Sequence, residues 1–112
     1  MVWQVEFHPE LATEFDALPP PVQVELLAHA GLLAEFGPTL GRPTVDTLKG
    51  SNVANLKELR FNADGGVWRV AFAFDGQRIA VLLAAGDKRG RPEGRFYRKL
   101  VASAEKRWST WS

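Results

Sequence analysis

The spacing of apolar positions moves between two periods along the chain, and each shift marks a predicted element. Residues 2–7 (VWQVEF) alternate, with Val2 and Gln4 on one side and Trp3, Val5 and Phe7 on the other, which predicts a short strand. His8-Pro9 ends it, and Pro9 suits a first helical turn, where a missing N–H costs no hydrogen bond. Leu11, Phe15 and Leu18 then fall at helical spacing across 9–18. Pro19-Pro20-Pro21 breaks the chain before a second helix over 21–36, whose apolar stripe is Val22, Leu26, Leu27, Ala30, Leu33 and Phe36. Gly37-Pro38 stops that helix, so the two helices form a hairpin about a proline corner. Residues 38–54 hold prolines and glycines with little periodicity and predict a long ordered loop.

Period two returns in residues 55–61 (NLKELRF), 67–74 (VWRVAFAF) and 78–85 (RIAVLLAA). The connections NADGG and DGQ are hairpin signals, and connections that short force an antiparallel meander. A last helix over 94–108 carries a stripe of Phe96, Leu100, Ala104 and Trp108. The expected fold is α+β: an N-terminal strand and helical hairpin, an antiparallel three-strand meander and a C-terminal helix, with the helices on one face of the sheet. A length of 112 residues predicts a single domain over 1–112. Hydrophobic residues at 46% and aromatics at 11% exclude a disordered chain. The absence of cysteine removes disulfides, thiolate metal sites and cysteine nucleophiles, and fits a reducing compartment. The N-terminus shows no basic segment followed by an apolar one, and no apolar run approaches the ~20 residues that span a bilayer. The expectation is a cytoplasmic protein with no membrane partner.

The formal net charge of +1 conceals a division. Residues 1–56 hold two basic residues, Arg42 and Lys49, against seven acidic ones, a balance of −5; residues 57–112 hold twelve against six, a balance of +6. Such segregation predicts a basic working face for a polyanion and an acidic face elsewhere.

Alternation places candidate chemistry on that basic half. In 67–74, Trp68, Val70, Phe72 and Phe74 share one face, and Val67, Arg69, Ala71 and Ala73 the other. With the bulky face buried, Arg69 projects among small neighbours that leave a groove, and Arg60 on the preceding strand falls on the same side. Two guanidiniums there need an anion between them, either Glu58 or a phosphate. Lys88, Arg89, Arg91, Arg95, Arg98 and Lys99 follow, with Phe96 and Tyr97 among them. Cations interleaved with rings suit RNA, where charge holds phosphate and a ring stacks on an unpaired base. Phe96 belongs to the core stripe, whereas Tyr97 is free to face the groove. The two histidines, His8 and His29, both lie in the helical half and read as structural. Asp64, Asp75 and Asp87 sit at turns for backbone reasons, no metal-ligand cluster appears, and no cofactor is expected.

The element order, with LKELR at 56–60, GGVWRVAFAF at 65–74, VLLAAGDKRG at 81–90 and FYRKLVASAE at 96–105, resembles the HigB-like, phage-related branch of the RelE/ParE toxin superfamily over nearly the whole chain. The resemblance implies a toxin of a type II toxin–antitoxin system that cleaves mRNA on the ribosome without a metal. In such enzymes the RNA's own 2′-hydroxyl attacks the adjacent phosphate. By position, Arg69 matches the phosphate-stabilising arginine, Lys88 the basic residue after the last strand, and Tyr97 the tyrosine that stacks on a base or donates a proton. The resemblance also implies Arg60 as a second phosphate contact and Lys57 as a candidate base, while the charge pattern makes Lys57, Arg89, Arg91, Arg95 and Arg98 expected RNA contacts. The implied partner is an antitoxin from a neighbouring gene, with a helix-turn-helix domain. A gyrase-inhibiting toxin of the ParE kind and a non-catalytic RNA-binding module remain the alternatives.

Overall fold

The computed structural model describes residues 3–111. In chain order the elements are β1 (Gln4–Phe7), α1 (Pro9–Phe15), α2 (Pro20–Phe36), a short 3-10 turn (Gly37–Thr39), β2 (Val45–Thr47), β3 (Lys57–Ala63), β4 (Gly66–Phe74), β5 (Ile79–Asp87) and α3 (Glu93–Thr110). The expected strand over 2–7 is present from Gln4, and Val2 lies outside the described residues. The sheet order is β1-β5-β4-β3-β2, so the expected meander forms the centre of a five-stranded sheet. β1 adds parallel to β5, with Gln4 opposite Ile79, and β2 adds antiparallel to β3. β2 arises inside the stretch expected to be loop, because three residues are too few to show a period. No helix among the described residues is long and apolar enough to cross a membrane.

Local chemistry sets the boundaries. His8 caps α1, its Nδ1 accepting from the Glu10 N–H at 3.1 Å, while Nε2 lies 2.8 Å from Thr110 Oγ1 at the end of α3. Both histidines are structural, as expected: His29 stacks on Phe61 with ring centroids 5.0 Å apart. The β3–β4 turn is Asp64-Gly65 with φ of 53° and 73°, the doubly left-handed turn whose twist matches that of antiparallel strands.

The expectation that every helix packs on one face is corrected. Leu11 of α1 and Val22, Leu26, Ala30 and Leu33 of α2 pack with Leu59, Phe61, Val70, Phe72 and Leu82 on one side of the sheet. On the other side Ala71, Ala73, Val81, Leu83 and Ala84 receive Phe96, Leu100, Val101 and Ala104 of α3. The small side chains of Ala71 and Ala73 therefore seat a helix and do not leave an open groove. A bulge helps: pairing passes from Ala71–Ala84 to Phe72–Leu82, which leaves Leu83 unpaired and turns it with Ala84 toward α3.

Candidate active site

The tight turn at Asp64-Gly65 fixes the β3–β4 register, and that register places Arg60 directly opposite Arg69. Both project from the α3 side, the relation that alternation predicted. The anion between them is Glu58, whose Oε1 lies 3.7 Å from Arg69 Nε and whose Oε2 lies 3.8 Å from Arg60 Nε. α3 closes over this group. Tyr97 donates its hydroxyl proton to Glu58 Oε1 at 3.0 Å, and its oxygen accepts from Arg69 Nε at 3.3 Å. Arg69 is consequently buried, with only 7% of its surface accessible, and its Nη1 donates to the Trp68 carbonyl at 2.9 Å. The expectation of an Arg69 projecting into open solvent is corrected, because α3 occupies that space.

Lys88 completes the cluster. Its Nζ lies 5.6 Å from the centre of the Tyr97 ring and donates to Glu93 Oε1 at 2.8 Å. Arg69, Lys88 and Tyr97 thus come from β4, the loop after β5 and the first turns of α3, and meet at one place. Arg60 stands at its border, half-buried, with Asp46 of β2 3.8 Å from Nη1. Its Nε is buried and has no hydrogen-bond partner among the described residues.

The electrostatics follow from burial. Glu58 is held above the usual glutamate range because desolvation outweighs the Tyr97 hydrogen bond and the two guanidiniums. Tyr97 is raised as well, first by burial. Glu93, by contrast, is lowered by the hydrogen bond and charge of Lys88. Each cation is therefore matched with a carboxylate, and the outer one, Glu93, is largely exposed and exchangeable for another anion.

The remaining candidates divide. Arg89 is tied to the hairpin turn, Nη1 donating to the Gly65 carbonyl at 2.6 Å, with Asp87 3.5 Å away. Arg91 and Arg95 border, with Lys99, a separate hollow of about 340 Å³ beside Phe96. Arg98 is exposed on the outer side of α3. Lys57 is not brought to the cluster: it pairs with Phe72 and shares the parity of Leu59 and Phe61, so it belongs to the α2 side of the sheet. Sequence reasoning treated Glu58 only as a neutralising neighbour. The signal that could have raised its standing was a carboxylate inside a strand, on the face shared by Arg60 and Arg69.

An α+β sheet carrying a helical hairpin on one face and a terminal helix on the other is the fold of two solved RelE structures. A free-state mutant of the Escherichia coli toxin RelE superposes with a TM-score of 0.65 at 14% identity, over 96% of this chain and 98% of that one. The archaeal RelE–RelB complex from Pyrococcus horikoshii gives 0.58 at 22% identity, over 82% of this chain and 100% of that one. At those identities the likeness shows the fold. Sequence relatives carry the identification further. The profile of the family described as "Phage derived protein Gp49-like" matches residues 13–109. HigB3 of Mycobacterium tuberculosis, named as a toxin, is 39% identical over 103 residues, 92% of this chain and 88% of its own length. HigB2 of the same organism, also named as a toxin, is 47% identical over 81 residues, 71% of this chain, which spans 40% of HigB2's length. The chain belongs to the Gp49-like family and is a HigB-type toxin with the fold seen in RelE.

Proposed function

We propose that this HigB-type toxin is an endoribonuclease that cleaves mRNA on the ribosome by metal-independent attack of the RNA's 2′-hydroxyl, and that a cognate antitoxin restrains it in the cytoplasm. The observation that carries the reading is the pairing of Arg60 with Arg69 around Glu58 and Tyr97, with Lys88 over the tyrosine ring. A phosphodiester replaces the exposed Glu93 at Lys88 and pairs with the part of the Arg60 guanidinium that stays accessible at the border of the cluster. Arg69, buried beneath, supplies a fixed positive field that stabilises the extra charge of the pentacoordinate phosphate.

Proton transfer follows the hydrogen bonds. The 2′-hydroxyl gives its proton to the Tyr97 oxygen as the tyrosine passes its own to Glu58, whose raised affinity for a proton suits it to receive one. The new bond joins the 2′-oxygen to phosphorus, and the bond to the 5′-oxygen breaks. Lys88 protonates that leaving oxygen, and a 2′,3′-cyclic phosphate remains. Lys57, on the far side of the sheet, has no part in this scheme. Arg89, Arg91, Arg95 and Arg98 hold the flanking backbone electrostatically. The antitoxin is the product of a neighbouring gene with a helix-turn-helix domain.

The test is induced expression followed by mapping of transcript 5′ ends. The wild-type chain should arrest growth and produce 5′-hydroxyl ends opposite cyclic phosphates. Tyr97→Phe and Lys88→Ala should each lower cleavage about 100-fold or more while remaining folded, and Arg69→Ala should abolish growth arrest. Intact transcripts with an induced DNA-damage response would instead identify a gyrase inhibitor. RNA binding without cyclic-phosphate ends would leave only a binding module.

A further inference from the structure

The helical layer, remote from the cation cluster, presents an apolar surface that the fold does not use. On α2 the residues turned inward are Val22, Leu26, Ala30 and Leu33. The side turned directly away from them carries Val24, Leu27, Ala28 and Gly31, at the i, i+3, i+4, i+7 spacing of a second helical stripe. Val24 is 64% exposed and Leu27 53%, with Leu32 and Phe36 exposed at the flank. A helix apolar on two opposite faces normally has both of them covered. The centre of this outer stripe is low: a Cβ added at Gly31 would meet nothing within 4 Å, so another helix can approach closely there.

Charge identifies the kind of occupant. The first 41 residues contain no lysine or arginine, and six carboxylates: Glu6, Glu10, Glu14, Asp16, Glu25 and Glu35. Glu35 ends the outer stripe and Glu25 flanks it. A second copy of this chain would bring the same carboxylates against them with no cation between, and an anionic membrane or nucleic acid would be repelled. An amphipathic helix with an apolar seam and lysine or arginine at its margins fits both properties at once.

We propose that the outer face of α2, centred on Val24, Leu27 and Gly31, is the docking surface for a basic-flanked amphipathic helix of the antitoxin, bound on the opposite side of the sheet from the cation cluster. This rests on the toxin reading above, and it assigns restraint to a surface that shares no residue with the proposed catalytic site.

The test uses the full chain and the purified product of the neighbouring gene. Binding is measured by calorimetry and neutralisation by growth, for the wild type, the double variant Val24→Asp/Leu27→Asp, Gly31→Arg and Glu35→Lys. All four positions are exposed, and Gly31→Arg enters open space, so folding is retained at least in that variant. The double variant and Gly31→Arg should bind about 100-fold more weakly and stay toxic while escaping neutralisation, and Glu35→Lys should weaken binding most at low salt. Wild-type affinity and full neutralisation in the first two variants would overturn the proposal, as would failure of the wild type to bind the neighbouring product. A wild-type dimer by sedimentation that Gly31→Arg converts to monomer would overturn it in favour of a second copy. If the wild type is not toxic, the ribonuclease reading fails separately, and calorimetry still decides the surface.

Discussion

Burial and charge pull the Glu58 carboxyl in opposite directions, and burial prevails. Because its folded-state pKa lies above the unfolded one, folding is less favourable with this carboxyl ionised than with it protonated. The stability it contributes is fully present below the usual glutamate value and is lost as pH rises through the raised one. Melting temperatures measured from about pH 4 to about pH 7 should therefore fall more for the wild type than for Glu58→Gln, since the amide does not titrate. Equal slopes would show that the ion pairs with Arg60 and Arg69 offset the desolvation. Alternation along two strands made the Arg60–Arg69 juxtaposition legible, and a turn with two left-handed residues made it exact in register. The depth of the site was not legible, because a strand pattern says which residues share a face and not whether that face is covered.

Among the elements, α3 decides that depth. Its stripe of Phe96, Leu100 and Ala104 announced a buried face, yet a stripe does not name the surface it meets. The alternation of bulky and small residues in β4 was compatible with an open groove beside Ala71 and Ala73 or with a helix resting on them, and the helix is what packs there. β2 was missed for a related reason: it exists because β3 has a free edge, a property of the sheet and not of the three residues themselves. The fit of α3 depends on Gly86, where a Cβ would stand 2.9 Å from the Phe96 ring. Gly86→Val should lower stability in urea by about 1–3 kcal/mol through overpacking. It should also reduce the proposed cleavage, since Phe96 precedes Tyr97 and the first turn must move. Unchanged stability would mean that α3 tolerates displacement at its start.

On the scale of the molecule, the two helical layers are joined at one end by Arg107. Its guanidinium donates to both oxygens of Glu14 in α1, at 2.9 and 2.6 Å, and to the Leu83 carbonyl at 2.9 Å, where β1 no longer covers the edge of β5. Arg107→Ala should therefore cost about 2 kcal/mol, the scale of a charged hydrogen-bond group largely removed from water. Urea denaturation checks this, and a loss below about 0.5 kcal/mol would class the group with ordinary surface pairs. The division of charge was visible from composition, but its use was not: the acidic half became the helical layer and the basic half the meander and α3.

The parallel pairing of β1 with β5 has a consequence for synthesis. The first strand must wait for Ile79–Leu82 before it has a neighbour, and the tyrosine hydroxyl reaches its carboxylate only after α3 has emerged. Contacts so distant in sequence form late and slowly. The contact between Tyr97 and Glu58 should therefore be among the last to form as the chain folds.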